Sequence, residues 1–92
     1  MTDSAPHWDD LRMFLAVARA ESLSTAGTRL KKDPATISRR MQRLEGNLGV
    51  RLFNRSPQGY LLTEPGQRLL QHAEAMEQSF INAEQAVADS PD

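Results

Sequence analysis

Two helical patterns meet in this chain with almost nothing between them. One ends near Lys31, and the next begins at Asp33-Pro34. Asp33 is a good acceptor for the free N–H groups of a helix start, and a proline at the first helical position gives up no intrahelical bond. A join this short forces the chain to turn sharply.

The helix after the corner is expected to run from Pro34 to about Leu48, with Gly49 as the left-handed cap beyond it. Gly46 in its last turn should cost ~1 kcal/mol relative to alanine. At about 100° per residue, Ile37, Met41, Leu44 and Leu48 fall on one stripe, read as core. The opposite side carries Ala35, Thr36, Arg39, Gln42 and Arg43, with Ser38 on its flank. The helix before the corner has Ser22 or Ser24 as its cap and runs to about Lys31, with Ala26 and Leu30 facing inward. Upstream, Trp8, Leu11, Phe14, Leu15 and Ala18 recur at helical spacing, so a scaffold helix is expected over Trp8 to Ala20. Asp9 and Asp10 suit its positive end.

Downstream, Leu52-Phe53 and Tyr60-Leu61-Leu62 are short strand-like runs around a loop, Arg55-Ser-Pro-Gln-Gly59. A two-stranded hairpin is marginal alone and must lean on the helices. Thr63 then caps a long helix to about Ala88, with Pro65 tolerated in its first turn. The expected class is mainly α: a winged helix-turn-helix of three helices and a two-stranded β-wing, followed by a long linker helix. The expected organisation is a flexible tail over 1–7, the winged helix-turn-helix over 8–62, a linker or dimerisation helix over 63–88, and a tail over 89–92. Ninety-two residues suit one domain with a small core.

The net charge of −1 hides a segregation. Residues 29–55 hold eight bases and two acids, whereas residues 69–92 hold five acids and no base. A basic middle between acidic flanks is the footprint of a polyanion binder, and equally that of a solvated charged surface. The chain has no cysteine, which rules out disulfides and thiolate metal sites and favours an intracellular setting. His7 and His72 lie far apart, so no metal or other cofactor is expected. No apolar run approaches the ~20 residues of a membrane span, so no membrane partner is expected, and the expected location is the cytoplasm, at the nucleoid. No paired carboxylates, nucleophile–base set or glycine-rich phosphate loop suggests an enzyme.

Double-stranded DNA is therefore the leading candidate partner. Small residues near a helix start let it sink into a groove about 12 Å wide. Ala35 and the Thr36 methyl suit a thymine methyl, and Arg39 suits a two-pronged contact with guanine. Ser38, Arg40 and Arg43 suit phosphates, which position a helix without reading sequence. Ser22, Ser24 and Thr25 open the preceding helix, where free N–H groups make a phosphate site or simply a cap. In the hairpin, Arg55 is expected at the loop tip and Arg51 just before it. An arginine there suits a narrow minor groove, although Arg51 could equally be a surface salt-bridge partner. The alternative is a protein-interaction module whose winged helix touches no DNA.

These residues resemble the DNA-binding domain of LysR-type bacterial transcription regulators. The resemblance runs from about Leu11 to Leu70. It is carried by Leu11-Arg-Met-Phe-Leu-Ala-Val-Ala18, Ser22-Leu-Ser-Thr-Ala26, Ala35-Thr-Ile-Ser-Arg39, Leu44-Glu45, Leu48-Gly-Val-Arg-Leu-Phe-Asn-Arg55 and Leu62-Thr-Glu-Pro-Gly66. It implies a dimer on promoter DNA, on an interrupted and often AT-rich palindrome. It also implies a larger C-terminal domain that binds a small effector, with this chain the N-terminal part of a longer protein. Base and phosphate contacts would fall on Pro34, Ala35, Thr36, Ser38 and Arg39, and on Arg55 in the wing. Pro34 stands where the family usually has glutamine, Asp33 where it has serine, Lys32 where it has an apolar residue, and Gly27 where it has alanine. Lys32 could offset Asp33 or reach the DNA backbone. Molybdate-responsive winged-helix regulators look similar and are the alternative among DNA binders.

The last helix carries its own signal. Leu69, Ala73, Met76, Phe80, Ala83 and Val87 are spaced 4, 3, 4, 3, 4, an a/d seam with every position apolar. It suits either a homodimer contact or packing onto the chain's own domain. A helix of about 25 residues spans nearly 37 Å and outruns so small a domain, which favours the dimer, with Phe80 as its anchor.

Overall fold

The computed structural model describes residues 7–88. The tail expected over 89–92, and residues 1–6 of the first tail, lie outside the described residues. The elements are α1 (Trp8–Ala20), α2 (Leu23–Leu30), α3 (Pro34–Leu48), β1 (Phe53–Ser56), β2 (Gly59–Leu62) and α4 (Glu64–Ala88). The winged helix-turn-helix and the trailing helix are thus as expected.

The helix ends follow from local chemistry. Of the two candidate serines, Ser22 is the cap of α2: its Oγ accepts the Thr25 N–H at 3.2 Å, and Ser24 falls in the first turn. Left-handed residues close α2 at Lys31 (φ 58°) and α3 at Gly49 (φ 74°). Asp33 differs from expectation. It occupies the cap position with an extended backbone, but its side chain makes no capping bond. The start of α3 rests instead on Pro34 and on the backbone bond from Ile37 N–H to Asp33 O, 3.2 Å. The corner is tight enough to require Gly27, since a Cβ there would lie 2.7 Å from the Lys32 carbonyl oxygen.

The core joins all the elements. Met13, Phe14, Leu15 and Val17 of α1 meet Ala26 of α2 and Ile37, Met41 and Leu44 of α3. Leu52, Phe53 and Ala73 complete it. Phe53 stands between Phe14 and Tyr60, with ring centroids 5.4 and 5.6 Å away, so one aromatic run links α1 to the hairpin. Two details depart from the periodicity. Met13 and Val17 are buried although they lie off the expected stripe of α1, because that helix is covered from several sides. Leu48 is not core: it is 41% exposed, since the apolar stripe of α3 leaves the packed region in its last turn.

The hairpin pairs Phe53 with Leu62 and Arg55 with Tyr60. Its first strand sits later than the Leu52-Phe53 run suggested, and its second begins one residue before Tyr60, at Gly59. It leans on its surroundings through Tyr60 N–H to Glu21 O (3.1 Å) and Thr63 N–H to Leu52 O (2.9 Å). Thr63 starts α4 as expected, its Oγ1 accepting the Gly66 N–H at 3.0 Å while donating to Arg51 O at 2.6 Å. A Cβ on Gly66 would collide with the Leu52 carbonyl, so α4 lies against the chain entering β1.

The apolar seam of α4 divides into two parts. Ala73 is fully buried in this chain's own core, and Leu69 is half-buried beside it. Ala73 is therefore packing for the domain rather than a surface for a partner. From Met76 onward the seam is exposed at Met76, Phe80, Ala83 and Val87.

Candidate nucleic-acid interface

The corner between α2 and α3 presents most of the expected contact residues. Ser24 and Thr25 lie exposed in the first turn of α2, and Lys32, Pro34 and Ala35 are exposed around the start of α3. Ser24, Gly27, Thr28, Lys31, Lys32 and Pro34 line one shallow hollow that joins the two helix starts. Arg39, Gln42 and Arg43 continue the exposed side of α3, with Thr36 and Ser38 half-buried at its edge. Arg39 Nη2 is 3.3 Å from Thr36 Oγ1, which holds the guanidinium along the helix toward its N-terminal end. Lys32, Arg39 and Arg51 have no acidic partner among the described residues. Free cations beside small, polar residues are what a phosphate-lined groove requires.

Two arginines take other roles than the sequence suggested. Arg40 does not face outward to phosphate. Its guanidinium turns back to α1, giving Nε and Nη2 bonds to Asp10 Oδ1 at 3.0 and 2.6 Å and an Nη2 bond to Asp9 Oδ2 at 3.1 Å. Asp10 is the one buried charged residue among the described residues, and its Oδ2 also accepts the His7 N–H at 3.3 Å. Burial alone would raise its carboxyl pKa. The Arg40 bonds, the His7 N–H and the charges of Arg40 and Arg43 outweigh burial and hold it below the usual value. Arg43 remains 58% exposed, with Nη2 3.9 Å from Asp10 Oδ1, and is still presented outward.

Arg55 is not at the loop tip. It lies inside β1, and the turn is formed by Pro57 and Gln58. Its Nη2 donates to Glu45 Oε1 at 2.9 Å, its Nε to the Tyr60 hydroxyl at 3.2 Å, and its guanidinium lies over the Tyr60 ring. The second Glu45 oxygen accepts the N–H groups of Leu52 (2.7 Å) and Phe53 (3.2 Å). Glu45 therefore ties the end of α3 to the root of the wing. Its burial would raise its pKa, but the Leu52 N–H, Arg55 and the Phe53 N–H lower it overall. Arg51 stays exposed between α3 and β1.

Sequence reasoning missed Asp10 and Glu45 as organisers of this surface. Asp10 carries the signature of an ordinary N-terminal helix acid, and Glu45 sits beside a core leucine. Their partners are 30 and 10 residues away in sequence, so no local spacing reveals them.

Both carboxylates have folded-state pKa values below those of an unfolded chain, so the stability they add is complete above the unfolded values and lost as pH falls through the folded ones. The melting temperature is expected to hold from pH 7 to about pH 5 and to drop steeply below the ordinary Glu value of 4.5. Thermal melts across pH 3–7 on wild type and Glu45→Gln check this. Glu45→Gln should show the shallower acid decline, and parallel declines would contradict the assignment.

The sequence profile described as bacterial regulatory helix-turn-helix protein, lysR family, matches residues 8–67. The chain is 40% identical over 73 residues to the transcriptional activator TtdR of Escherichia coli K12, covering 79% of this chain and 24% of that protein. It is 41% identical over 66 residues to the regulator DgdR of Burkholderia cepacia, covering 72% and 22%. The chain thus spans about a quarter of the length of these relatives. Among solved structures, the CbnR DNA-binding domain in complex with DNA superposes with a TM-score of 0.79 at 34% identity, covering 90% of this chain and 97% of that one. The BenM DNA-binding domain on benA site 1 DNA gives 0.78 at 29% identity, covering 90% and 93%. None of the described helices is long and apolar enough to cross a membrane. With the corner, the wing and the long trailing helix all in place, this chain belongs to the LysR family of bacterial transcription regulators and is its helix-turn-helix DNA-binding domain.

Proposed function

We propose that this chain binds promoter DNA as a homodimer, with α3 (residues 34–48) in the major groove and residues 51–60 of the wing region at the minor groove. The observation that carries this is the outer side of α3. Ala35, Arg39, Gln42 and Arg43 stand exposed there, while Asp10 and Glu45 are engaged inward by Arg40 and Arg55, which leaves Asp33, exposed beside Lys32 at the helix start, as the acid that faces this side. Ala35 and Thr36 meet thymine methyls, Arg39 reads guanine, and Ser38 and Arg43 meet phosphates. Ser24, Thr25, Lys32 and Pro34 hold the backbone beside the α2 start. Arg51 is the free cation at the wing root. Arg55, held by Glu45 and Tyr60, positions the wing more than it reaches DNA. The relatives CbnR and BenM are seen as DNA complexes, which supports this reading.

The exposed part of α4 at Met76, Phe80, Ala83 and Val87 forms the dimer contact, with Leu69 at its edge. Effector binding belongs to a C-terminal domain beyond this chain, and the working location is the cytoplasm, on the nucleoid.

Arg39→Ala is the residue-level test. It is expected to cost ~1–3 kcal/mol on the cognate site and to relax preference at one base step. Titrations against cognate and random duplexes separate the roles: equal losses on both would make Arg39 a phosphate contact and remove the guanine reading.

A further inference from the structure

We infer that Arg19 and Glu77 form a positioning pair that sets the angle at which α4 leaves the DNA-binding domain, and with it the separation of the two DNA-reading corners in the dimer. The inference rests on the dimer reading above and adds what fixes its geometry. Arg19, in the last turn of α1, meets α4 with both prongs of its guanidinium. Nη1 lies 3.1 Å from Glu77 Oε2 and Nη2 lies 2.7 Å from Glu77 Oε1. Glu74, one turn earlier on α4, comes within 3.6 Å of the same Nη2. A planar fork on a carboxylate fixes orientation as well as distance.

The place of this contact gives it leverage. Ala73 is the buried α4 residue furthest along the helix, and the α4 side chains beyond it are exposed except Glu77, which is half-buried. Alongside this exit lies a hollow of about 490 Å³ between α1 and α4, lined by Trp8, Arg12, Glu77, Phe80, Ile81 and Glu84. Helix α4 is therefore not pressed flat on the start of α1, so core packing does not by itself hold this stretch of it. The Arg19–Glu77 fork lies at the edge of that hollow. From Ala73 to Ala88 the helix is an arm of roughly 22 Å at 1.5 Å per residue, so a tilt of about 10° moves its tip by about 4 Å. That is close to the ~3.4 Å between successive nucleotides of a strand. A small change of angle at Glu77 thus shifts one reading corner by about one base pair relative to the other.

The pair is solvent-accessible, with side-chain exposures of 42% and 35%, so its contribution to folding stability is small. Its effect is on geometry, which separates it from a merely stabilising contact. The chain has no cysteine, so Asn47→Cys places one spin label on each protomer. Double electron–electron resonance on the labelled dimer then reads the distance between the two α3 ends. The wild-type pair is expected to give one narrow distance. Glu77→Gln and Arg19→Gln should broaden or shift it by about 4 Å or more, with melting temperatures unchanged. The reversed pair, Arg19→Glu with Glu77→Arg, should restore the narrow distribution. A distribution unaltered in both single variants overturns the positioning role while leaving the dimer intact. Absence of any dipolar coupling in wild type, with a monomer mass, removes the dimer and this role together.

Discussion

Glu45→Ala is expected to destabilise the domain by about 3 kcal/mol and to lower its melting temperature by upward of about 12 °C. Three groups depend on this one carboxylate: the N–H groups of Leu52 and Phe53 and the guanidinium of Arg55. Leu52 and Phe53 are buried, so water cannot replace the lost acceptor without opening the core. Arg55 would keep its charge in a site where its side chain is 25% exposed, facing only the Tyr60 hydroxyl and ring. Glu45→Gln retains an acceptor oxygen and should recover part of the loss. Thermal denaturation of the two variants checks the ordering. An alanine variant melting within a few degrees of wild type would mean that the wing root does not depend on Glu45.

The second large effect is on assembly. Phe80 is 54% exposed on a helix whose neighbouring seam residues Met76, Ala83 and Val87 are also exposed. Phe80→Glu places a charge at the centre of that apolar strip, and a carboxylate buried without a partner is costly. Sedimentation is expected to change from dimer to monomer. Binding to a duplex with two half-sites should weaken by about 10²-fold or more, because the second half-site is no longer delivered at high effective concentration. The fold itself should be unaffected, within about 0.5 kcal/mol, since the side chain touches little of its own domain. A Phe80→Glu protein that still sediments as a dimer would place the interface elsewhere.

Most of the architecture was legible because its signals are local. Pro34, Gly49 and the Thr63–Gly66 turn each fix a helix end within a few residues, and the 3.6-residue period places Ile37, Met41 and Leu44 inside. The surface was legible only in part. Composition shows that Arg39, Arg40, Arg43, Arg51 and Arg55 are cations, but not whether a carboxylate from another element has already claimed them. Arg40 is claimed by Asp9 and Asp10, and Arg55 by Glu45. The same limit applies to α4. Ala73 and Phe80 share one heptad seam, yet one is covered by the domain core and the other is bare. Periodicity marks a face of a helix, whereas tertiary packing decides what covers each stretch of it.

Whether this chain reads DNA is decided by fluorescence anisotropy at several salt concentrations. One probe is DNA from just upstream of its own gene, and the other a shuffled duplex of the same composition. Tighter binding to the upstream DNA is expected, with log K falling against log salt at a slope of about −0.9 for each phosphate neutralised. No binding to either duplex at low salt would contradict it and shift the weight to a protein-interaction module.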